Sequence, residues 1–191
     1  MLLNSRSTPF DSPEYTYEFK FDGVRMLAHT FGEPCLYNRK TAPRTKNYPE
    51  IINELLKLPQ GLILDGELIA VAECGRQDFH SLLRRDNAAI YKPVAGIEIC
   101  YAVFDILYES AKDITKLPLF ERQKILQNIL SGCNGVIRQV DSFSGIGSAL
   151  YKAAQDAGLE GIVAKKLTSV YIPATRSKDW LKIKCPDYVR P

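Results

Sequence analysis

Several common sequence signals are missing from this chain, and each absence argues against a class of protein. No run of about 20 apolar residues occurs, so no transmembrane helix is expected. The N-terminus lacks the long apolar segment of a signal peptide. The patterns G-x-G-x-x-G and G-x-x-x-x-G-K-[ST] are absent, which counts against Rossmann and P-loop nucleotide sites. There is also no internal repeat and no low-complexity segment.

The cysteine content and the charge are uninformative about a specific ligand. The five cysteines form no C-x-x-C pair, so neither a disulfide framework nor a zinc site is indicated. A reduced, cytoplasmic compartment is therefore expected, with no membrane partner. The net charge of +3 is compatible with phosphate or nucleic-acid ligands without arguing for them. With 46% hydrophobic residues, the 191-residue chain can bury a large core.

Hydrophobic periodicity predicts an α+β fold with mostly antiparallel sheets flanked by helices. The predicted strands are 15–21, 24–31, 35–38, 62–71, 97–108, 136–140, 159–166 and 179–184, and the predicted helices are 48–58, 77–85, 119–130 and 147–157. Residues 1–14 contain two prolines and are interpreted as an extended lead-in. The dipeptide Asp22-Gly23 predicts a tight turn joining the first two strands.

The strongest chemical signal lies in the first predicted strand and its turn, residues 15–25. Alternation places the aromatic residues on one face, for the core, and Glu18, Lys20 and Asp22 on the other. A lysine between acids, beside a glycine that lets a ligand approach, suggests an amine set up to react. A solvated strand face explains the same residues, and this segment alone leaves both interpretations open.

Later segments add acids and cations of the kind that bind phosphates. Asp65 and Glu67 share one face of an apolar strand, where carboxylates are costly unless they are paired or ligand-bound. The basic stretch 39–47 suits either a solvated loop or a loop that faces phosphate or sugar. In the last predicted strand Trp180, Lys182 and Lys184 share one face.

These segments resemble, in the same order, the signatures of the covalent nucleotidyltransferases: ATP-dependent DNA ligases, RNA ligases and mRNA capping enzymes. The lysine segment resembles K-x-D-G-x-R, and the later matches are Tyr37–Arg39, Leu64–Leu68, Ala102–Tyr108, Glu160–Lys166 and Trp180–Lys184. Asn38 stands where the family often has Ser. The last two segments are most similar to bacterial ATP-dependent DNA ligases of the end-joining type.

The resemblance implies the nucleotidyltransferase, or ATP-grasp-like, fold of the ligase and capping-enzyme catalytic domain over residues 15–185. It implies that Lys20 attacks the α-phosphate of ATP, forming a covalent lysyl-AMP and releasing pyrophosphate. AMP then passes to the 5′-phosphate of a DNA nick, which is sealed in DNA repair or recombination. An RNA ligase, a GTP-using capping guanylyltransferase and a catalytically silent nucleotide-binding module are the alternatives.

The resemblance also implies roles for individual residues. Lys182 and Lys184 would act with Lys20, because nearby cations favour the neutral, attacking form of an amine and also bind phosphates. The expected nucleotide contacts are Glu18 and Phe19 at the adenine edge, Arg25 and Arg39 at the ribose and phosphates, Glu67 at the ribose hydroxyls, Phe104 by stacking, and Lys165, Lys182 and Lys184. Strand parity places Lys165 on the face opposite Glu160 unless Gly161 bends the strand.

Mg²⁺ or Mn²⁺ is the expected metal, held by Glu160 and by Asp22 or Glu67, because hard cations prefer oxygen ligands. Structural alternatives stand beside these roles. Asp22 could cap its turn, Glu67 could pair with an arginine, and Phe104 could simply pack in the core. Trp180 is expected to pack beneath the nucleotide rather than to touch it.

A complete ligase of this family continues past the last strand into an OB-fold domain. Here residues 186–191 are interpreted as the start of a linker to that absent domain. We therefore expect an excised or minimal adenylation domain, monomeric, from the bacterial cytoplasm or nucleoid. Its partner would be nicked duplex DNA, and by itself it would self-adenylate slowly and seal nicks poorly.

Overall fold

The computed structural model describes residues 1–88, 93, 95–133 and 135–190, so Pro191 of the predicted linker lies outside the described residues. The predicted α+β class is confirmed. The strands are β1 (Leu2–Ser5), β2 (Tyr15–Phe19), β3 (Val24–His29), β4 (Cys35–Asn38), β5 (Ile63–Ala72), β6 (Ile97–Glu109), β7 (Lys112–Asp113), β8 (Ile137–Gln139), β9 (Ser142–Ser144), β10 (Gly161–Lys166) and β11 (Arg176–Lys184). The α-helices are α1 (Pro49–Leu55), α2 (Phe79–Asp86), α3 (Leu119–Leu130) and α4 (Gly147–Asp156).

The chain divides into two compact units, each with its own sheet. The first unit comprises Met1–Asp22, Thr115–Arg122 and Val140–Arg190, and the second comprises Gly23–Ile114 and Gln123–Gln139. One sheet has the order β1-β11-β10-β2-β9, and the other β4-β3-β5-β6-β7 with β8 also paired to β6. The pairs β1–β11 and β6–β8 are parallel, and the other named pairs are antiparallel.

The sheet of the first unit has one apolar face, covered by α4. Tyr17 and Ile162 of this face pack with Leu150 and Ala154 of the helix. Gly147 at the start of α4 makes this close approach possible, because a Cβ there would lie 2.4 Å from the Tyr17 ring. The predicted aromatic core face of the lysine segment is therefore confirmed.

The opposite face of this sheet is polar. In the register, Glu18 of β2 lies opposite Val163 of β10, which in turn lies opposite Lys182 of β11. Lys165 lies opposite Trp180 in the same ladder. Because directly paired residues and residues two apart point to the same side of a sheet, these side chains share one face.

The sheet of the second unit is built around the long strands β5 and β6. Tyr101 of β6 crosses β5, and its hydroxyl lies 3.0 Å from the carbonyl oxygens of both Met26 and Leu64. Gly66 makes room for this ring, since a Cβ there would lie 2.6 Å from it. The glycine of the Asp65-Gly66-Glu67 segment is thus required by packing within the sheet.

The N-terminal segment is extended, as predicted, but part of it belongs to the sheet. Leu2–Ser5 forms β1, which pairs with β11, and the Arg6 amide donates to the Lys182 carbonyl at 3.0 Å. The Phe10 ring packs edge-on against Tyr17, with ring centres 5.5 Å apart. The first compact unit begins at Met1, and the domain boundary at residue 15 stays a prediction.

The predicted hairpin at Asp22-Gly23 is wrong. Strand β2 pairs with β10 and β9, whereas β3 pairs with β4 and β5 in the other sheet. Glycine is required at position 23 for a different physical reason. A Cβ there would lie 2.1 Å from the Leu68 carbonyl oxygen and 2.7 Å from the Glu67 side chain, so only glycine allows this close passage along β5.

Among the described residues, no helix combines the length and apolar character that crossing a membrane requires.

Candidate active site

Lys20 lies one residue beyond β2, and its ammonium is bound to a buried carboxylate. Its Nζ lies 2.6 Å from Oε2 of Glu160, and Nζ of Lys184 lies 2.6 Å from Oε1 of the same carboxylate. The Lys20 side chain is 19% exposed and Glu160 only 4%. The Lys20 amide also donates to the Gly161 carbonyl at 2.8 Å. Three residues selected from the sequence thus form one cluster.

The charges in this cluster shift the pKa values of Glu160 and of the neighbouring Lys182. Burial acts to raise the pKa of the Glu160 carboxyl, but hydrogen bonds from Lys184 and Lys20 hold this pKa below its ordinary value. Burial, followed by the charges of Lys184 and Lys20, lowers the pKa of Lys182. The three lysines therefore act electrostatically on one another, and their positive charge suits phosphate groups.

Gly161 bends the chain, which is the condition under which Glu160 and Lys165 can lie on the same side of the sheet. Its φ is +144°, and a Cβ there would lie 2.1 Å from the Ile183 carbonyl oxygen. The bend lies between Glu160 and the rest of β10. Strand parity therefore does not apply across it, so Glu160 reaches Lys184 while Lys165 stays on the polar sheet face.

A second lysine–glutamate pair on the polar face is fully buried. Nζ of Lys165 lies 2.6 Å from Oε2 of Glu18, and the two side chains are 2% and 4% exposed. The same ammonium lies 4.5 Å from the centre of a Trp180 ring. The Trp180 indole nitrogen donates to Ser169 at 3.1 Å. Trp180 is thus buried on this face, and Lys165 is bound to Glu18.

Asp22 is held by the segment that follows β11. Its Oδ2 accepts hydrogen bonds from the Tyr188 hydroxyl at 2.8 Å and from Nε of Arg190 at 2.6 Å. Burial and the bond to Asp22 raise the pKa of Tyr188, and the bond to Asp22 raises the pKa of Arg190. Sequence reasoning missed both partners, because they lie 166 and 168 residues away from Asp22 and carry no local signal.

The predicted metal ligands are distributed between the two units. Glu160 and Asp22 belong to the first unit and Glu67 to the second. Within the ranges that the structure describes, no group of three or more His, Cys, Asp or Glu residues could hold a metal ion. Glu160 fits Mg²⁺ in ligand type, because lysines stabilise its ionised form. Mg²⁺ usually takes one or two carboxylates plus waters and substrate phosphates, so a single carboxylate is compatible with it.

In the second unit, Arg25 is fixed by an acid that received no role in the sequence analysis. Its Nε and Nη2 lie 2.9 and 2.6 Å from the two carboxylate oxygens of Asp65, which is fully buried. The guanidinium carbon lies 5.5 Å from the centre of the Phe104 ring. The signal for Asp65 was present, since a buried carboxylate on an apolar strand needs a partner.

An open cavity of about 430 Å³ lies in the second unit, with a basic lining. It is lined by Arg25, Arg39, Lys40, Arg44 and Glu67, among others. Arg44 is paired with Asp86 at 3.2 Å. Within the described part of the chain, the side chains of Arg39 and Lys40 have no ion-pair partner. The cavity therefore offers unpaired cations beside a carboxylate, as a sugar–phosphate ligand requires.

The α+β fold and the lysine cluster fit the covalent nucleotidyltransferase domain that the sequence resembles, and comparison with known proteins identifies the family. The sequence matches the ATP dependent DNA ligase domain family over residues 4–184. The chain belongs to this family. The resemblance to ATP-dependent DNA ligases is thereby confirmed, although the roles of individual residues stay predictions.

Relatives in sequence agree with this assignment, and a solved structure agrees with the fold. The chain is 35% identical over 189 residues to the SPbeta prophage-derived DNA ligase-like protein LigB of Bacillus subtilis, covering 98% of this chain and 67% of that protein. It is 34% identical over 178 residues to a DNA ligase of Methanoculleus marisnigri, covering 91% of this chain and 32% of that ligase. A structure of "mycobacterial DNA ligase D complexed with ATP and MES" superposes with a TM-score of 0.79 at 22% identity, over 96% of this chain and 58% of that one.

Proposed function

We propose that this chain is an adenylation domain in which Lys20 is the nucleophile of ATP-dependent DNA ligation. The neutral Lys20 amine forms a bond to the α-phosphorus of ATP, the bond to the bridging oxygen breaks, and pyrophosphate leaves. The amine gives up one proton in this step. An oxygen of the 5′-phosphate at a DNA nick then displaces lysine and takes AMP. Finally the 3′-hydroxyl displaces AMP and seals the strand.

The observation that carries the proposal is the Glu160 carboxylate shared by Lys20 and Lys184. It holds the amine of Lys20 next to a second cation on the face that also bears Lys182. Lys20 must leave Glu160 and lose a proton before it can attack. Lys182 and Lys184 then supply positive charge to the phosphates, where negative charge develops during transfer.

The proposal extends to the nucleotide contacts in each unit. In the first unit, Glu18 and the Phe19 backbone would read the adenine edge, and Lys165 would act through its ion pair with Glu18. In the second unit, Arg25 and Arg39 would bind ribose and phosphates, Glu67 the ribose hydroxyls, and Phe104 the purine. Support comes from the fixed geometry of Arg25 and from the cavity that Arg25, Arg39 and Glu67 line together.

A divalent cation, Mg²⁺ or Mn²⁺, is part of the proposal, with Glu160 as its protein ligand. When bound, it would neutralise charge on the phosphates. Glu160 is better supported than Asp22 or Glu67, because its ionised carboxylate contacts the nucleophile itself.

Nicked duplex DNA is the proposed partner, in a monomeric protein of the bacterial cytoplasm or nucleoid. The chain spans only 32% of the Methanoculleus ligase and 67% of the Bacillus ligase-like protein LigB. We therefore include an OB-fold domain outside this chain, which would orient the pyrophosphate and help to encircle DNA. Without it, the 191-residue chain should self-adenylate slowly and seal nicks poorly.

Intact mass measurement with ATP and Mg²⁺ tests the central step. The chain should gain the mass of one AMP, and the Lys20→Ala variant should gain nothing. Lys152→Ala, at an exposed lysine on α4, is the matched control and should behave like the unmodified chain. GTP should label poorly. If no AMP is found on the purified or ATP-treated protein, the proposal is wrong.

A further inference from the structure

The turn after β4 carries two exposed cations that line the cavity, Arg39 and Lys40. Exposed side chains are not held by packing, so the backbone beneath them must set their direction. Asn38 immediately precedes them. We propose that Asn38 is a positioning residue that fixes this turn and thereby directs Arg39 toward a nucleotide phosphate. The inference rests on the proposed function, because it takes ATP as the ligand of the cavity.

The Asn38 side chain closes the turn with two hydrogen bonds. Its Oδ1 accepts from the backbone amides of Lys40 at 3.0 Å and of Ala42 at 3.1 Å. The Asn38 backbone adds two more bonds. Its amide donates to the Ala42 carbonyl at 3.0 Å, and its carbonyl accepts from the Thr41 amide at 2.8 Å. Asn38 is therefore hydrogen-bonded to Lys40, Thr41 and Ala42, which form the rest of the turn after Arg39.

The turn needs this support because its backbone is strained. Thr41 has a φ of +59°, a left-handed conformation that is unfavourable for a β-branched residue. The hydrogen bonds that the Lys40 and Ala42 amides, on either side of Thr41, donate to the Asn38 Oδ1 oppose this cost. Without them the turn would relax toward ordinary dihedral angles, and the Cα–Cβ direction of Arg39 would change with it.

Asparagine suits this position better than the serine that the family often has there. A serine hydroxyl oxygen is one bond closer to the backbone than the asparagine Oδ1. Serine hydroxyls make the same kind of bond to turn amides as asparagine, but more weakly, so serine should hold the Lys40 and Ala42 amides less firmly. The effect of substitution on ATP binding should therefore be graded, with serine intermediate between asparagine and alanine.

Equilibrium binding of ATP to the full chain tests the inference. The Lys20→Ala variant is the starting protein, because it cannot form an adduct and so separates binding from chemistry. In this background, Asn38→Ala should raise the dissociation constant for ATP by about tenfold, and Asn38→Ser by less. Asn128→Ala, an exposed asparagine on α3, is the matched control and should leave the constant unchanged.

A double-mutant cycle with Arg39 distinguishes positioning from general loss of structure. If Asn38 acts through Arg39, adding Asn38→Ala to Arg39→Ala should weaken ATP binding no further. Additive losses, an unchanged dissociation constant in Asn38→Ala, or no ATP binding in the Lys20→Ala chain would each overturn the inference. Absence of the AMP adduct in the unmodified chain, with the graded ATP binding intact, would contradict the proposed function and leave Asn38 supported.

Discussion

Two lysine–glutamate pairs of the first unit have the same length and different surroundings. Lys165 and Glu18 lie 2.6 Å apart, are 2% and 4% exposed, and lie against Trp180. Lys20 and Glu160 also lie 2.6 Å apart, but Lys20 is 19% exposed and shares its carboxylate with a second lysine. The distance alone does not distinguish a structural lysine from a reactive one. The difference lies in exposure and in the shared counter-charge.

The comparison has an energetic basis. Removing one partner of a buried pair leaves a charge in a medium that solvates it poorly, so such a pair locks both residues in place. A partly exposed pair is screened by water, and one of its members can leave at low cost. A nucleophile must move away from its counter-ion to attack, and of the two pairs the Lys20 pair suits this proposed role better.

The largest effect on stability should therefore come from Lys165→Met. The substitution removes the positive charge of Lys165 from the buried Glu18 carboxylate, and we expect the free energy of unfolding to fall by about 3–5 kcal/mol. Urea denaturation measures this change. The neighbouring Lys166→Met is the control, because Lys166 is 37% exposed and lies 3.7 Å from Glu14. If Lys165→Met lowers the free energy of unfolding no more than the control does, burial does not account for the difference between the Lys165–Glu18 and Lys20–Glu160 pairs.

A much smaller loss is expected for Lys20→Met. The Glu160 carboxylate keeps its bond to Lys184, and Lys20 is partly solvated, so the free energy of unfolding should fall by no more than about 1 kcal/mol. The same variant should form no AMP adduct. A loss equal to that of Lys165→Met would make Lys20 a structural residue and remove the basis of the comparison.

The smallest effect is a pH dependence at Glu160. The pKa of this carboxyl lies below its ordinary value of 4.5, so the folded chain favours the ionised form. Its contribution to stability is complete above the unfolded pKa and is lost as the pH falls through the folded pKa. The difference in unfolding free energy between the unmodified chain and Glu160→Gln should therefore be constant near neutral pH and shrink below pH 4.5. A difference that grows with falling pH would contradict this assignment.

Local elements of the fold could be predicted because periodicity is a local property. Helix α3 at Leu119–Leu130 and strand β4 at Cys35–Asn38 have the bounds that the sequence predicted. The two faces of β2 could also be predicted, since alternation alone determines which side chains meet the core. The residues of the cluster, Lys20, Glu160 and Lys184, could be selected only by their resemblance to family motifs, because no local pattern connects residues so distant in sequence.

Pairing between distant segments could not be predicted. Asp22-Gly23 has the composition of a hairpin turn, yet β2 and β3 pair in separate sheets. The alternation of residues along a strand predicts which side chains share a face, but it does not predict which other strand pairs with it. The bond of Asp65 to Arg25, 40 residues apart, and the bonds of Asp22 to Tyr188 and Arg190 have the same origin. Each joins residues whose proximity exists only after folding.

The shared Glu160 carboxylate also has a consequence for the state that follows adenylation. In the resting chain it is balanced by two ammonium groups. In the proposed lysyl-AMP state, the nitrogen of Lys20 would no longer be an ammonium, and the new phosphate would bring a negative charge to the same place. Glu160 then keeps Lys184 and has lost its other cation. The covalent intermediate would thus have an excess of negative charge at this site. Whichever cation next enters the site would balance it.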